Sequence, residues 1–499
     1  MTATAKSYNG HLTSGRLLAR NTLWNLVGSG TPVLVAVFCI PVLIRELGKE
    51  RFGVLTLVWA LIGYASLFDL GLGRALTQLV ARKLGAGEDH EVATLVWTSL
   101  LLMLLLGLLG TIVMISFSPW LVHRALHLPG TLQHETLQSF WLLGLSIPVV
   151  ISTAGLRGLL EAHQRFGVIN ALRIPMGVFT FVGPLLVLPF SKNLVPVVAT
   201  LVVGRVGAWA AHLLLCLRVF PELSRSPVWD RSSAGPLLRF GGWMTVTNVI
   251  GPLMVTLDRF LIAGLVSMTA VAYYATPFEI VTKFLLLPGA LMGVMFPAFS
   301  ASFTQGGERT ALLFSRSIKS LFLVLFPIML CTVALAQDGL KLWLGPEFAQ
   351  QSFRVLQWLA VGVFFNSLAL VPFTFLQGAG RPDVTAKLHL IELPIYLGLL
   401  WLLIGMRGIE GAAIAWSARA TADAVFLFGS VKGLLPKARI RIRTALLPVL
   451  AMLILSVAAL LQGPILKAVF LLATILCFAL VTWFQILTPE ERKLAQSYR

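Results

Sequence analysis

Long apolar runs separated by short polar connections dominate the pattern of this chain. Val92–Phe117 and Leu312–Ala336 are two of these runs, and each is longer than twenty residues. An apolar helix of about 20 residues crosses the roughly 30 Å hydrocarbon core of a bilayer. The runs therefore predict an all-α polytopic membrane protein with about fourteen transmembrane helices, at residues 21–44, 52–75, 92–117, 137–160, 167–190, 194–219, 240–266, 271–298, 311–336, 353–376, 384–405, 409–431, 444–461 and 465–487.

Composition supports this interpretation and excludes an ordinary soluble domain. The 499 residues are 57% hydrophobic and 12% charged, whereas a soluble domain carries about 25% charged residues. Residues 1–20 are polar and basic, and no small-residue cleavage site precedes or follows the first apolar run. We therefore expect an uncleaved first helix rather than a signal peptide.

Lysine and arginine residues are concentrated in every second connection between the predicted spans. The connections that contain Arg82, Arg239 and Arg381 belong to this basic set. Basic connections stay in the cytoplasm, so we predict a protein of the cytoplasmic (inner) membrane with both termini in the cytoplasm, Gln305–Gly307 inside and Ser267–Thr269 outside. The net charge of +18 is then mainly a topology signal. No nucleic-acid recognition fold is visible, so we expect no nucleic-acid partner.

The sequence also contains a weak internal repeat. Leu84–Glu88 is similar to Thr304–Glu308, and Leu159–Arg165 is similar to Phe375–Arg381, at offsets of 220 and 216 residues. Six spans per repeat give both copies the same orientation, with a pathway between them. The predicted organisation is a cytoplasmic segment at 1–20, an N-lobe at 21–219, a cytoplasmic linker at 220–239, a C-lobe at 240–431, a basic cytoplasmic loop at 432–443, two further helices within 444–487 and a cytoplasmic tail at 488–499.

Four segments in a fixed order carry a family resemblance. They are Ile44–Gly48 with Arg51–Gly53, Asp69–Ala75, Trp343–Phe348 and Leu376–Pro382. In order and spacing they resemble the polysaccharide-transporter family, the Wzx-type lipid-linked oligosaccharide flippases of the MOP superfamily, which also contains the MATE exporters. The resemblance implies two six-helix lobes in parallel repeat, facing a cavity that opens alternately to each side of the membrane.

The resemblance also implies a function. A Wzx-type flippase moves a lipid-linked oligosaccharide from the cytoplasmic to the outer leaflet, and we expect a gradient to drive it because no ATP site is visible. Membrane lipids and a polysaccharide polymerase machinery are the expected partners. A MATE-like cation-coupled antiporter of small cationic compounds is the alternative, and a membrane scaffold ranks last. Fourteen spans exceed the family's usual twelve, as in peptidoglycan-precursor flippases, but the Arg-Asp pair in the first helix of those proteins is missing between Trp24 and Ile44.

Ionisable residues inside membrane spans are energetically expensive and tend to mark substrate or ion pathways. Arg205 has no carboxylate within one turn of its own helix, so it is the leading candidate for contact with an anionic substrate. Arg259 and Lys283 complete the candidate substrate-binding set. The remaining residues of this kind form a candidate coupling or charge network: Asp69, Asp258, Glu279, Glu392, Arg419 and Asp423.

Distances along the chain predict which of these charges meet. Arg259 and Glu279 each lie ten residues from a turn near Thr269, so they should be level on adjacent antiparallel helices. Glu392 and Asp423 lie at similar distances from a turn near Arg407. Two neighbouring carboxylates in a low dielectric resist double ionisation, so we hypothesise that this pair couples transport to a proton or cation.

Purely structural pairings remain open for the same residues. Glu279 with Lys283, and Arg419 with Asp423, are spaced four residues apart and share a helix face, so each pair would neutralise itself. Asp69 would pair with Arg74. No Ser-His-Asp set, metal-ligand set or nucleotide motif is visible. We therefore predict a transporter that is not an enzyme, with no catalytic residues, no metal site and no cofactor.

Overall fold

All regular secondary structure in the described part of the chain is helical. The computed structural model describes residues 15–64, 69–88, 91–125, 129–224, 229–304, 308–435, 442–487 and 492. Helices satisfy their own backbone hydrogen bonds, which a bilayer requires. The helices are α1 (Gly15–Leu47), α2 (Lys49–Tyr64), α3 (Leu72–Ala86), α4 (Val92–Trp120), α5 (Gly130–Ala162), α6 (Phe166–Val187), α7 (Leu194–Val219), α8 (Arg231–Leu265), α9 (Met268–Thr282), α10 (Leu286–Phe303), α11 (Glu308–Ala334), α12 (Ala336–Leu344), α13 (Pro346–Gly378), α14 (Pro382–Lys432), α15 (Ile442–Leu460) and α16 (Pro464–Val481).

Eleven helices of the described residues are long and apolar enough to span a membrane. The longest, α14, has 51 residues and breaks at Gly408, where φ is 58° and ψ is −135°. The break divides it into two helical parts, 382–407 and 409–432, each about 35–40 Å long at about 1.5 Å per residue, so each part is long enough to cross the roughly 30 Å hydrocarbon core. The prediction of an all-α polytopic membrane protein is confirmed, whereas the number fourteen stays a prediction.

The predicted span at 52–75 differs from the helices observed there. The helix α2 ends at Tyr64 and α3 begins at Leu72. Between them Gly71 adopts a φ of 71°, a left-handed conformation that glycine adopts without a steric penalty. Several predicted segments lie outside the described residues: the loop at 305–307, half of the loop at 432–443, part of the linker at 225–228, residues 1–14 and, apart from residue 492, the tail at 488–499. The predicted orientation and lobe boundaries stay predictions.

Contacts between Cα atoms divide the chain into two units. The first unit comprises Met1–Ile250, Ala290–Thr310 and Thr374–Lys387. The second unit comprises Gly251–Gly289, Ala311–Phe373 and Leu388–Arg499. In each unit the core is built from apolar side chains between helices.

In the first unit, α4 packs on α5 through small residues. A Cβ atom at Gly107 would lie 2.5 Å from the Pro148 Cα atom, and Thr111 Oγ1 donates to the Gly144 carbonyl at 2.8 Å. The opposite face of α4 exposes large apolar side chains: Leu104, Leu105, Leu108, Leu109 and Ile112. Small residues between helices and large ones toward lipid are typical of membrane helices, because small residues let the backbones approach closely.

A buried carboxylate joins three helices of the first unit. Glu135 on α5 accepts a hydrogen bond from Arg51 Nε at 2.9 Å and another from the Leu194 backbone N–H at 3.2 Å. Asn193 caps the same end of α7 by accepting from the Val195 N–H at 2.8 Å. Both carboxylate oxygens of Glu135 therefore have donors. We assign it a structural role, because it accepts from a backbone N–H at the start of α7 that has no partner within the helix.

In the second unit, the C-terminal helices are attached by polar contacts. Lys467, at the start of α16, is buried and donates to Asp338 on α12 at 2.6 Å. Gln357 on α13 donates to the carbonyl of Ala459 on α15 at 3.4 Å. A buried lysine requires such a partner, because an unpaired buried charge is strongly destabilising.

Candidate functional site

A cavity of about 460 Å³ lies among α8, α9, α13 and α14 within the second unit. Its volume falls within the range of about 300–1,000 Å³ that is usual for ligand pockets. Most of the lining is apolar, and the ionisable side chains in the wall are Arg259, Glu279, His389, Arg419 and Asp423. Four of these five residues belong to the sets predicted from the sequence, so the fold gathers residues that lie far apart along the chain.

One wall of the cavity carries a chain of ion pairs. Arg259 Nη2 donates to Glu279 Oε1 at 2.8 Å, and Lys283 Nζ donates to Glu279 Oε2 at 3.1 Å. The side chains of Arg259 and Glu279 are 31% and 52% exposed. The predicted level placement of these two residues is confirmed. Arg259 and Glu279 line the cavity, whereas Lys283 pairs with Glu279 from outside the lining. One carboxylate stands between two cations, so this group of three residues has a net positive charge.

The conformation of Arg259 leaves its guanidinium only partly engaged. The group lies 5.3 Å from the centre of the Phe278 ring, a cation–π contact. Its Nε atom is buried and has no hydrogen-bond partner among the described residues. The guanidinium is therefore held in place by Glu279 and Phe278 while part of its donor capacity stays unused.

Asp258, the neighbour of Arg259 in the chain, has a different environment. Its carboxylate is fully buried and accepts a hydrogen bond from the Tyr274 hydroxyl at 2.5 Å. It also accepts from the backbone N–H of Arg259 at 2.7 Å. Asp258 does not line the cavity, and its contacts join α8 to α9. These contacts favour a structural role for Asp258 within the predicted charge network.

A second group of charges is buried at the other side of the same cavity. Ligand atoms of His389, Glu392 and Asp423 all lie within 4.8 Å of one another. Arg419 Nη1 lies 3.9 Å from Glu392 Oε2, so the cation pairs across to Glu392 rather than with Asp423 four residues along its own helix. We call these four residues the buried charge cluster. The structure therefore brings Glu392 and Asp423 together, as the distances along the chain predicted.

The buried charge cluster contains more polar atoms than its contacts satisfy. Both carboxylate oxygens of Glu392 and Oδ1 of Asp423 have no hydrogen-bond partner among the described residues. One guanidinium faces two carboxylates, so a formal charge of about −1 is left if both acids ionise. Imidazole and carboxylate oxygens suit a divalent cation, but Arg419 beside them already supplies a positive charge, which opposes one.

His389 is the member of the cluster that the sequence analysis missed. It lies three residues before Glu392 on α14, and this spacing places both residues on one helix face. A search of the spans for histidine three or four residues from a carboxylate would have found it. Its ring stacks on Phe373 with centroids 5.7 Å apart.

Two predicted residues lie in the first unit instead. Arg205 on α7 makes no ion pair with any described residue, and its buried Nε atom has no hydrogen-bond partner there. Asp69 accepts from the Gly71 N–H at 2.7 Å, in a turn that precedes α3. Among the described residues Asp69 makes no hydrogen bond to Arg74, which instead donates to Gln377 at 3.4 Å.

Comparisons with known proteins agree with this architecture. The family model described as "Polysaccharide biosynthesis protein" matches residues 18–303. The chain is 32% identical over 414 residues to a protein described as an O-antigen transporter of Shigella flexneri, covering 82% of this chain and 96% of that protein. It is 21% identical over 396 residues to the lipopolysaccharide biosynthesis protein WzxC of Escherichia coli K12, covering 79% of this chain and 76% of that protein.

The fold is also similar to that of solved transporters. A multidrug resistance MATE family transporter of the MOP superfamily superposes with a TM-score of 0.72 at 15% identity, covering 85% of this chain and 98% of the other. The predictions of a MATE-like fold and of a transporter rather than an enzyme are confirmed. This multi-pass inner-membrane protein therefore belongs to the polysaccharide biosynthesis protein family, and its resemblance to the Wzx-type flippases of the MOP superfamily is confirmed.

Proposed function

We propose that this protein moves a lipid-linked oligosaccharide from the cytoplasmic to the outer leaflet by alternating access. The family membership and the names of the two relatives, an O-antigen transporter and WzxC, support this substrate class. The transported lipid and the surrounding membrane lipids are then its partners. A polysaccharide polymerase machinery is a further proposed partner, because an exported oligosaccharide unit has to be joined into a polymer.

The group formed by Arg259, Glu279 and Lys283, with Arg259 and Glu279 in the cavity lining and Lys283 beside it, is the observation that carries the proposal. Arg259 and Lys283 both contact Glu279 there, and the exposed guanidinium and ammonium groups exceed the carboxylate charge by one. A guanidinium presents paired donors that match a phosphate group. We assign phosphate contact to Arg259 in this cavity and to Lys283 beside it, and a similar role to the unpaired Arg205 in the first unit.

The buried charge cluster is the proposed coupling element. Arg419 neutralises one of the two carboxylates Glu392 and Asp423, and the second is neutralised by a bound proton or cation. Uptake of that ion from one side of the membrane and its release to the other would link the gradient to the conformational change. Of the other candidates for a coupling network, Asp69 and Asp258 are assigned structural roles, in the turn before α3 and between α8 and α9, and Glu279 positions Arg259.

The test of this function is genetic. Deletion of the gene should cause a lipid-linked glycan to accumulate on the cytoplasmic leaflet, and the wild-type gene should restore export. The Arg259→Gln variant should be made in normal amounts but fail to restore export. Arg354→Gln is the matched control, because Arg354 also pairs with a carboxylate, Glu410 at 3.7 Å, and also lies beside an aromatic ring, but it does not line the cavity. Normal glycan distribution in the deletion strain would refute the proposal.

The antiporter alternative predicts a different outcome. The excess positive charge of the Arg259, Glu279 and Lys283 group attracts a phosphate and opposes a small cationic compound at that position, which favours the flippase. The same deletion strain should therefore keep its wild-type tolerance of cationic dyes. Increased dye sensitivity with normal glycan distribution would instead support the antiporter.

A further inference from the structure

A second cavity of about 800 Å³ lies within the first unit. It is bordered by α3, by the start of α8 and by the turn that joins α13 to α14. Three guanidinium groups line it, from Arg82, Arg239 and Arg381, together with the indole of Trp243 and one carboxylate, Asp383. All three arginines fall in connections that the sequence predicts to be cytoplasmic. None of these residues belongs to the cavity of the second unit.

Helical spacing explains why these side chains face one space. Gln78 and Arg82 are four residues apart on α3, and Arg239 and Trp243 are four residues apart on α8, so each pair lies on one helix face. Gln78 Nε2 donates to the carbonyl of Gly378 at 3.3 Å. This hydrogen bond fixes the end of α13 against α3, and therefore places Arg381 on the same side of the cavity as Arg82.

The carboxylate in the wall already has its own counter-ions. Arg381 donates to Asp383 through Nε at 3.0 Å and through Nη2 at 3.4 Å. Lys387 Nζ lies 3.6 Å from Oδ2 of the same carboxylate and 5.4 Å from the Trp243 ring centre. Asp383 is therefore neutralised by two cations and does not compensate the other arginines.

Arg82 and Arg239 are the uncompensated charges of the cavity. Both are exposed, and neither makes an ion pair with a carboxylate of the described residues. Two guanidinium groups that face a shared space repel each other unless an anion lies between them. The planar donor arrangement of arginine fits the oxygen atoms of a phosphoryl group in a bidentate manner.

We propose that this cavity is a phosphoryl-binding site that docks the diphosphate of the lipid-linked substrate on its cytoplasmic side, with Arg82 and Arg239 as the direct ligands. The identity of the ligand rests on the proposed function and on the predicted orientation, whereas phosphoryl binding itself rests only on the geometry. Arg381 is held by Asp383 and shapes the wall. Trp243 offers an apolar surface beside the phosphate, suited to a sugar ring or the first isoprenoid carbons.

Direct binding to the purified full-length protein in detergent tests the proposal. The probe is radiolabelled farnesyl diphosphate, which carries the diphosphate and a short isoprenoid. All proteins compared carry Arg259→Gln, so that the cavity of the second unit does not contribute to binding of the probe. Adding Arg82→Gln and Arg239→Gln should weaken binding about tenfold to a hundredfold per lost charge-assisted contact. Arg218→Gln removes an exposed arginine at the end of α7, outside the cavity, and should leave the affinity unchanged.

Competitors identify the source of the phosphoryl group. Inorganic pyrophosphate should displace the probe, and farnesol should not. Displacement by phosphatidylglycerol at equal concentration would overturn the assignment to the substrate and identify the ligand as a membrane phospholipid. Unchanged probe affinity in the Arg82→Gln, Arg239→Gln variant would overturn the site itself. If that variant is recovered unfolded, Arg239→Gln alone is measured with the same criteria. Because transport is not the readout, failure here leaves the genetic test of the proposed function unaffected.

Discussion

Arg419 and Arg259 each pair with a carboxylate beside the same cavity, yet their removal should have very different consequences. The side chains of Arg419 and Glu392 are each 9% exposed, and Asp423 beside them is 5% exposed. Removing one partner of such a buried pair costs about 3–5 kcal/mol, because the remaining charge is left uncompensated. Arg419→Met should destabilise the protein by that amount.

Arg259→Met is the matched comparison. Arg259 and Glu279 are 31% and 52% exposed, and Lys283 remains as a second partner for the carboxylate. Ion pairs with this degree of exposure contribute about 0.2–1 kcal/mol. Methionine keeps the length of the apolar stem in both variants. We therefore expect a difference of about 3 kcal/mol between the two substitutions, although both remove one positive charge from the same cavity.

Thermal unfolding of the purified protein in detergent, followed by tryptophan fluorescence, measures this difference. The Tm of Arg419→Met should fall well below that of Arg259→Met. Adding Glu392→Gln to Arg419→Met restores the formal charge of the cluster from −2 to −1, so the double variant should recover more than half of the loss. Equal Tm values for the two single variants, or no recovery in the double variant, would refute the distinction between the buried and the exposed pair.

Two further predictions concern the first unit. A leucine at Gly107 would place its Cβ atom 2.5 Å from the backbone of Pro148, so Gly107→Leu should force α4 from α5 and lower the unfolding temperature by an amount that corresponds to about 1–3 kcal/mol. Gly207→Leu is the control, because a Cβ atom there meets nothing within 4 Å, and it should not lower the unfolding temperature. Equal effects of the two substitutions would contradict the packing argument. Burial lowers the pKa of His163 to about 4 from its ordinary value of 6.5, so the folded state binds fewer protons than the unfolded state between these values. Stability is then complete above pH 6.5 and decreases as the pH falls toward 4, by about 2 kcal/mol at pH 5. The Tm of the wild type should therefore drop more between pH 7 and pH 5 than that of His163→Gln, and parallel curves would exclude His163 as the cause.

The sequence was sufficient for the fold class because bilayer thickness dictates the length of an apolar helix. Span boundaries were less certain wherever glycine changes the backbone. At Gly408 the predicted boundary between two spans coincides with the break in α14. At Gly71 a left-handed residue separates α2 from α3, and the predicted span 52–75 passed over it. Leu70 and Leu72 flank Gly71, so the apolar run continues across it and a hydropathy pattern does not register the break between the helices.

The sequence predicted the depth of the charged residues along the helices but not the direction in which their side chains point. Equal distances from a turn correctly placed Arg259 beside Glu279 and Glu392 beside Asp423, because antiparallel helices preserve depth. Rotation about the helix axes depends on packing, which the chain order does not contain. For that reason the sequence did not predict that Arg419 faces Glu392, that His389 joins the cluster, or that one pair is half exposed and the other buried.

The difference in exposure gives the two pairs different capacities within the proposed mechanism. An ion pair that contributes about 1 kcal/mol or less to folding can be replaced by a substrate phosphate with little loss of stability, so Arg259 can exchange Glu279 for a ligand in each transport cycle. A buried cluster cannot lose a partner so easily. A conformation that keeps the cluster away from water is disfavoured while the second carboxylate of the Glu392–Asp423 pair is charged. Neutralising that carboxylate stabilises this conformation relative to one in which water reaches the cluster. A ligand shifts a conformational equilibrium only through such a differential free energy, so the buried cluster suits gradient coupling and the exposed pair suits substrate binding.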